Sequence, residues 1–451
     1  MKNNYYNICC IISLFLLLIS CSRFLDEKSN LHLTTPSTLE DNQALLDRYG
    51  DVITNFAASG MVSSDDFYIS DADFNALVHE EDKRLYTWQP DHVSTSKSAG
   101  NDWLYCYKGI NISNSVLDNL DYYEISNSDN VRGQALALRA ARYLDAVQIW
   151  CVAYNKNTAN SDLGLPLRLD SDMNIPSTRS SLQQTYNQIL KDLNEAVELL
   201  PINQIAVTRP SKVTALAYLA RAYLYMGDYQ KAKEYAIKAL DLKNTLIDYN
   251  TLNSKQNYPI KDLNTEVLLR TTMFIAHPTR STIIKVPMEL YQSYHSNDLR
   301  KSIYFNINTQ GQILFRGNYT GGATGKLTGM AIDELYLILA ESYAHLNNVS
   351  DAMAILNQLL VTRWKNGTFT NYTASSKDEA LNLIKNERRK ELLFRGIRWA
   401  DIKRYNRDGA NITLKKVVNN KEYVLPPNDL RYAIAIPEEV ISISGMQQNK
   451  R

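Results

Sequence analysis

Residues 211–242 read SKVTALAYLARAYLYMGDYQKAKEYAIKALDL, and their apolar side chains return at helical spacing. Leu216, Leu219, Ala220 and Tyr223 form one stripe, and Ala232, Ala236, Ala239 and Leu240 form a second. Gly227-Asp228 falls between them as a turn signal. The pattern predicts two antiparallel helices that cross through small residues. A second copy lies at 332–362, with Tyr336, Leu339, Ala340 and Tyr343, then Ala352, Leu356 and Leu359. There Asn347 takes the turn, and Asn tolerates the left-handed backbone a turn requires. A third pair is split. Its first helix is 132–150, carrying Leu136, Ala140 and Tyr143, and its second is 181–201, carrying Ile189, Leu193 and Ala196 and closed by Pro201. An Asn-, Asp- and Ser-rich loop with GLPL at 164–167 separates the two. A fourth pair is expected from 101–125 and 376–404, with Ser376 and Glu379 as the capping box of a long charged helix.

Paired helices of this length, with small residues at the crossing, match the tetratricopeptide (TPR) repeat. The expected fold is therefore mainly α, a TPR-like helical-repeat scaffold with long irregular loop insertions and a few short β-hairpins. The insertions are 60–100, 243–330 and 405–449. They hold β-like runs such as EVLLRTTMFIA at 266–276 and TIIKVP at 282–287. Loops of that length fold as small local excursions, and binding belongs on them rather than on the scaffold.

The N-terminus has a different pattern. Lys2 precedes an apolar run from Ile8 to Ile19, broken only by Cys9, Cys10 and Ser13. The run is short of the ~20 residues a membrane span needs and fits the apolar core of a signal peptide. Leu18-Ile19-Ser20-Cys21 resembles a bacterial lipobox, in which the cysteine is lipidated and becomes the first mature residue. The alternative is an ordinary signal peptide with a chance cysteine. On the lipobox reading, residues 1–20 are a leader and 21–451 one mature domain. Cys106 and Cys151 are then the only other mature cysteines, too few for a disulfide framework, and read as buried small hydrophobes.

Composition narrows the function. The 451 residues are 45% hydrophobic and 22% charged, with a net charge of +1, which excludes a globally basic nucleic-acid binder. Tyrosine is abundant, at 29 residues, and suits both helix packing and stacking on sugar rings. GGATGKLTG at 321–329 lacks the first glycine and the Mg²⁺ ligand of a phosphate loop, having Thr320 and Leu327 there. The six histidines, His32, His79, His92, His277, His295 and His345, form no metal-ligand spacing. No Gly-x-Ser-x-Gly elbow is present. The carboxylates of SSDDF at 63–67 and HEED at 79–82 read as surface charge. No metal, cofactor or catalytic constellation is expected. NERRKELLFRGIRWADIKR at 386–404 reads as a structural clamp: Glu387, Glu391, Arg388 and Arg395 in ion pairs, Leu392, Leu393, Ile397 and Ile402 buried, and Trp399 packed beneath the arginines.

Several elements together resemble the SusD/RagB family of outer-membrane nutrient-binding lipoproteins. CSRFLDEK after the apolar run is similar to that family's opening, and Trp103, Tyr107, Ile110 and Asn114 match a family helix. RGQALALRAARY, the following GLPL, YNQILKDLNEAVELLP, DLR at 298–300, DELYLILAESYAHL and NERRKELLFRGIRWADIKR match family segments in order along nearly the whole chain. In the last, Arg395 stands where the family has an acid. The resemblance implies a lipidated, surface-exposed outer-membrane protein, with palmitate among the fatty acids on Cys21. It would bind oligosaccharide or another nutrient without chemistry and sit over a SusC-like TonB-dependent transporter.

Candidate ligand contacts are drawn from the aromatic, acid-rich insert at 65–92, namely Asp66, Phe67, Tyr68, Asp71, Phe74 and Trp88. A second group is Tyr304, Phe305 and Tyr319. For each ring, packing is the competing use. Two other function classes stay open: a TPR-type interaction or assembly lipoprotein of the outer membrane that binds protein alone, and a secreted glycoside hydrolase.

Overall fold

The computed structural model describes residues 35–90 and 102–451. Cys21, the predicted leader 1–20, His32 and His92 lie outside the described residues. Among those described there are 17 α-helices and three two-stranded antiparallel pairs, so the chain is mainly α as expected. The helices of eight residues or more are α1 (Leu39–Leu46), α2 (Asp102–Tyr122), α3 (Asp129–Trp150), α4 (Leu182–Leu199), α5 (Lys212–Met226), α6 (Tyr229–Leu242), α7 (Ile332–His345), α8 (Val349–Leu360), α9 (Lys377–Glu391) and α10 (Arg398–Arg407). None is long and apolar enough to cross a membrane.

Helices α2 to α7 stack in sequence order, each packed on the next, and α8 and α9 both pack on α7. The three helix pairs read from the periodicity are thus α3–α4, α5–α6 and α7–α8. Alanine makes the close crossings possible: Ala217, Ala220, Ala232, Ala236 and Ala239 are fully buried. Local chemistry sets the boundaries. Ser211 accepts a hydrogen bond from the Thr214 amide to start α5, and Gly227 at φ 78° ends it. Asn347 holds the turn after α7 at φ 65°. The fourth pairing, of 101–125 with 376–404, is not the one formed. Helix α2 packs mainly on α3, and α9 on α7 and α8, because each finds its apolar partner closer along the chain. The cap of α9 is also displaced by one residue. Ser376 Oγ accepts from the Glu379 amide, but the Glu379 carboxylate accepts from Ser375, not from Ser376.

The insertions fold as local excursions. Residues 59–90 hold three short helices, Ser59–Ser63, Asp71–Asn75 and Glu80–Tyr86. Hairpin β3–β4 (Phe305–Ile307 and Ile313–Phe315) lies in the second insertion, and β5–β6 (Leu414–Val418 and Lys421–Leu425) in the third. Strands β1 (Leu163–Pro166) and β2 (Arg179–Ser181) close the loop between α3 and α4. Asn419 and Asn420 turn β5–β6 at φ 49° and 61°, the backbone a two-residue hairpin loop demands. The β-like runs 266–276 and 282–287 form isolated bridges rather than strands. Each meets a different partner at each bridge, as in Phe56 with Met273 and Thr272 with Leu327, so no ladder propagates.

The predicted clamp is larger than the segment that announced it. Arg221 of α5 pairs with Glu334 of α7 at 2.8 Å, and Glu334 meets Arg388 of α9 at 3.6 Å. Arg388 then donates to Asp401 at 2.8 Å, and Asp401 accepts from Arg404 at 2.9 Å. Arg404 forks onto Glu341 of α7. A second branch centres on Arg300, which donates to Asp298, Glu387 and Glu391 at 2.7, 2.6 and 2.9 Å. Arg363 joins Glu391 to Glu266 at 2.7 and 2.8 Å. All of these groups are buried. Arg395, the residue of reversed sign, donates to buried Asp333 at 3.2 Å. Forked, charge-assisted bonds fix the relative rotation of four helices, which apolar contacts alone do not. Trp399 is buried at the edge of this lattice, tilted against Tyr432 with centroids 4.8 Å apart.

Candidate functional site

The aromatic candidates serve the interior. Phe67, Phe74, Trp88, Tyr304, Phe305 and Tyr319 are all buried. Phe67, Tyr86 and Trp88 enclose the amine of Lys416, which reaches in from β5 to 5.7, 3.8 and 4.9 Å from their ring centroids. Phe74 packs on Tyr86 at 5.9 Å. Tyr319 donates to Glu266 at 2.6 Å and Tyr304 to the Glu391 carbonyl at 3.2 Å, so both phenols belong to the ion-pair lattice. Phe305 sits in a ring cluster with Tyr294 and Phe315. The two groups of candidates are joined inside the protein through Phe394, which lies 6.3 Å from Phe67 and 4.8 Å from Phe315. Asp66 is buried against Arg389 at 3.1 Å, and burial pushes its carboxyl above the usual range. Asp71 is exposed but accepts from the Asn419 amide at 2.8 Å, which ties the insert to the β5–β6 turn. Only Tyr68, 42% exposed, keeps an open ring.

A better-placed opening lies beside the insert. The main chain of 272–274 is held on both sides. Thr272 and Phe274 donate to the carbonyls of Ile53 and Phe56, and Met273 donates to the carbonyl of Lys326. The chain then turns through His277–Thr279, which packs against the insert helices Ser59–Ser63 and Glu80–Tyr86. The facing wall is 323–326, where Gly325 adopts φ 68°, a conformation that favours glycine. Between the walls is a pocket of about 220 Å³, lined by residues that include Ile275, Thr279, Arg280, Ser281, Thr324 and Lys326. That volume is below the ~300 Å³ floor of sites for drug-sized ligands and would hold one unit of a longer chain.

Phe274, at its edge, stacks on Tyr105 of α2 with centroids 5.2 Å apart and planes at 27°. Both rings are half-buried. Lys326 Nζ donates to the Thr279 carbonyl at 2.8 Å, which ties one wall to the other. Burial lowers its pKa to about 8. The arrangement offers an aromatic face, hydroxyls and cationic donors together. Among the described residues, no group of three or more His, Cys, Asp or Glu is set to hold a metal.

Sequence reasoning missed Tyr105, Phe274 and Arg280. Tyr105 reads as one more helix aromatic, and Phe274 as part of a β-like run. Neither carries a local signal of the other. A second pocket, of about 300 Å³, is lined by Asn155, Lys403, Asn406 and Asp429. Its polar groups mostly bond one another or the main chain. Lys403 donates to the Gln148 and Cys151 carbonyls, Asn406 to the Ile412 carbonyl, and Asp429 accepts from Arg431. Cys106 and Cys151 are buried and unpaired, as expected.

Two family descriptions match the chain. One, "Starch-binding associating with outer membrane", covers residues 23–224, and the other, "SusD family", covers 291–442. The SusD-like protein P2 of Formosa agariphila is 25% identical in an alignment of 366 positions that covers 67% of this chain and 70% of that protein. The SusD-like protein P38 of the same organism is 23% identical over 66% of this chain and 70% of its own length. Among solved structures, a SusD superfamily protein of Bacteroides thetaiotaomicron superposes with a TM-score of 0.72 at 21% identity, covering 92% of this chain and all of its own. A SusD-like carbohydrate binding protein of Bacteroides vulgatus gives 0.67 at 21% identity, covering 90% and 96%. These structural likenesses establish a shared fold. The two family matches, in order along the chain, and the ordered motifs show that the chain belongs to the SusD/RagB family.

Proposed function

We propose that this protein is a non-catalytic binding lipoprotein of the outer-membrane surface. It captures an oligosaccharide and passes it to a TonB-dependent transporter. In this reading, residues 1–20 are the leader, Cys21 carries the lipid, and 21–451 act as one binding domain. The family membership and the carbohydrate binding named for a structural neighbour support it. The observation that carries it is the pocket beside the Tyr105–Phe274 stack. Sugar rings place C–H faces on aromatic faces and their hydroxyls on polar rims, and this pocket supplies both.

The test is calorimetry of the soluble chain from residue 22 onward against a glycan panel, with Tyr105→Ala and Phe274→Ala beside the wild type. Affinity for at least one oligosaccharide, reduced about tenfold by either substitution, is the expected result. Retained affinity in both variants would move the site elsewhere. No affinity for any glycan, together with co-purification of a protein partner, would favour the assembly-lipoprotein reading. Release of reducing sugar from any member of the panel would overturn the non-catalytic reading.

A further inference from the structure

The pocket between 273–282 and 323–326 carries an uncompensated positive charge. Arg280 is exposed, and its guanidinium makes no hydrogen bond or ion pair with the described residues. Lys326 is buried, and its amine meets a single carbonyl, that of Thr279, and no carboxylate. An ammonium has three N–H donors, so two stay available toward the pocket. Among the residues that line it there is no Asp, Glu, Asn or Gln. Elsewhere in this chain nearly every buried arginine is matched by an acid, as in the lattice around Arg300 and Arg404. Arg280 and Lys326 have no such match; two other buried lysines also lack an acid, but Lys403 is bonded to two carbonyls and Lys416 to a carbonyl with aromatic rings around it.

Among the described residues, no acid is bonded to Arg280, although acids of the 59–90 insert lie on its side of the pocket. Buried Asp82 lies within its electrostatic reach without an ion pair. Burial raises that carboxyl to about 7, so it is largely protonated below neutral pH. His277 is shifted downward by burial and by Arg280 and His79, and so is largely neutral. Of the other acids on the insert, Asp73 is engaged by Lys285 at 2.5 Å, Glu80 lies 3.8 Å from Lys83 and 3.7 Å from Arg84, and Glu81 makes no ion pair with Arg280.

Resting on the carbohydrate-binding reading above, we infer that the ligand of this pocket is an anionic oligosaccharide, whose carboxylate or sulfate group sits between Arg280 and Lys326 while a neighbouring ring stacks beside Phe274 and Tyr105. A neutral glycan needs acceptors as well as donors. Here the side-chain acceptors are only the hydroxyls of threonine and serine, whereas cationic donors are in surplus.

Calorimetry decides the matter with four probes: an oligogalacturonate, the same oligomer methyl-esterified, a sulfated chondroitin oligosaccharide and a maltooligosaccharide. The expected result is binding of the galacturonate, the chondroitin oligosaccharide or both, weakened by salt and at least tenfold weaker in Arg280→Gln. Arg280→Lys should recover part of that loss. The two acidic probes distinguish a carboxylate-selective from a sulfate-selective pocket. Because Arg280 is exposed and unbonded, its variants should melt with the wild type, and Lys326→Met serves as a second probe of the same charge. Equal affinity for the acid and its methyl ester would overturn the inference. So would binding of the maltooligosaccharide unchanged in Arg280→Gln but lost in Tyr105→Ala, and that outcome would leave the proposed function standing. Absence of binding by all four probes and by the wider glycan panel would overturn both.

Discussion

Lys416 Nζ lies 3.8 Å from the centre of the Tyr86 ring and donates to the Val62 carbonyl at 2.9 Å. With Phe67 and Trp88 on its other sides, this amine latches the β5–β6 hairpin to the 59–90 insert. It has no carboxylate bonded to it, and burial pushes its pKa well down. The ring faces and the carbonyl stand in for a counter-ion.

Lys416→Ala should remove the latch and open a cavity, costing about 2–4 kcal/mol. Lys416→Met keeps the volume without the charge and should cost less than about 1.5 kcal/mol. Urea unfolding of both variants, read by tyrosine and tryptophan fluorescence, checks the difference. Equal losses would mean that the charge, and not the packing, holds the hairpin.

Removing the hub of the ion-pair lattice should be far more damaging. Arg300→Met leaves Asp298, Glu387 and Glu391 facing one another without their shared cation. Loss of one partner of a buried pair costs about 3–5 kcal/mol, so this variant should melt well below the wild type or accumulate as insoluble protein. A melting temperature within a degree or two of the wild type would rule out the lattice as a main stabiliser.

Stability should pass through a shallow minimum near neutral pH. Burial raises the carboxyls of Asp82, Asp145 and Asp333 to about 7 and that of Asp102 to about 6. From about pH 4 to 7 the native state therefore holds protons that the unfolded chain has released, and stability falls as pH rises. Lys403 and Lys326 act in the opposite sense, with burial lowering them to about 7 and about 8. Above neutrality the unfolded chain holds the extra protons, and stability recovers toward the ordinary lysine range near pH 10. Melting temperatures at pH 5, 7 and 9 should show the dip. Asp82→Asn, whose Oδ2 already lacks a partner, should flatten the acidic limb alone.

The anchor has its own test. Cys21→Ser should abolish incorporation of labelled palmitate and release the protein from the membrane fraction. Incorporation that survives the substitution would remove Cys21 from the proposal.

The scaffold was legible because its signals are local. Gly227, Asn347 and the alanine stripes act within one or two turns of chain, and each stands where the periodicity put it. The loops were not legible, because their partners are remote. Nothing near Trp88 announces Lys416, and nothing near Tyr319 announces Glu266 or Arg395. A ring in a polar loop looks free until a distant residue is folded onto it. The same remoteness hid the Tyr105–Phe274 stack, whose members lie on either side of the first helix pairs. The charged segment 386–404 was read correctly as structural, but its true extent depends on Arg221, Glu266, Arg300 and Arg363, from four other parts of the chain.

The forked ion pairs that join α5 and α10 to α7 have a mechanical consequence. Apolar helix faces can slide past one another at small cost, but a guanidinium gripping a carboxylate at two points cannot shift without breaking both bonds. The scaffold should therefore behave as a stiff plate under load. A tug on the loops at one face would reach the opposite side as rotation of the whole body rather than as bending within it.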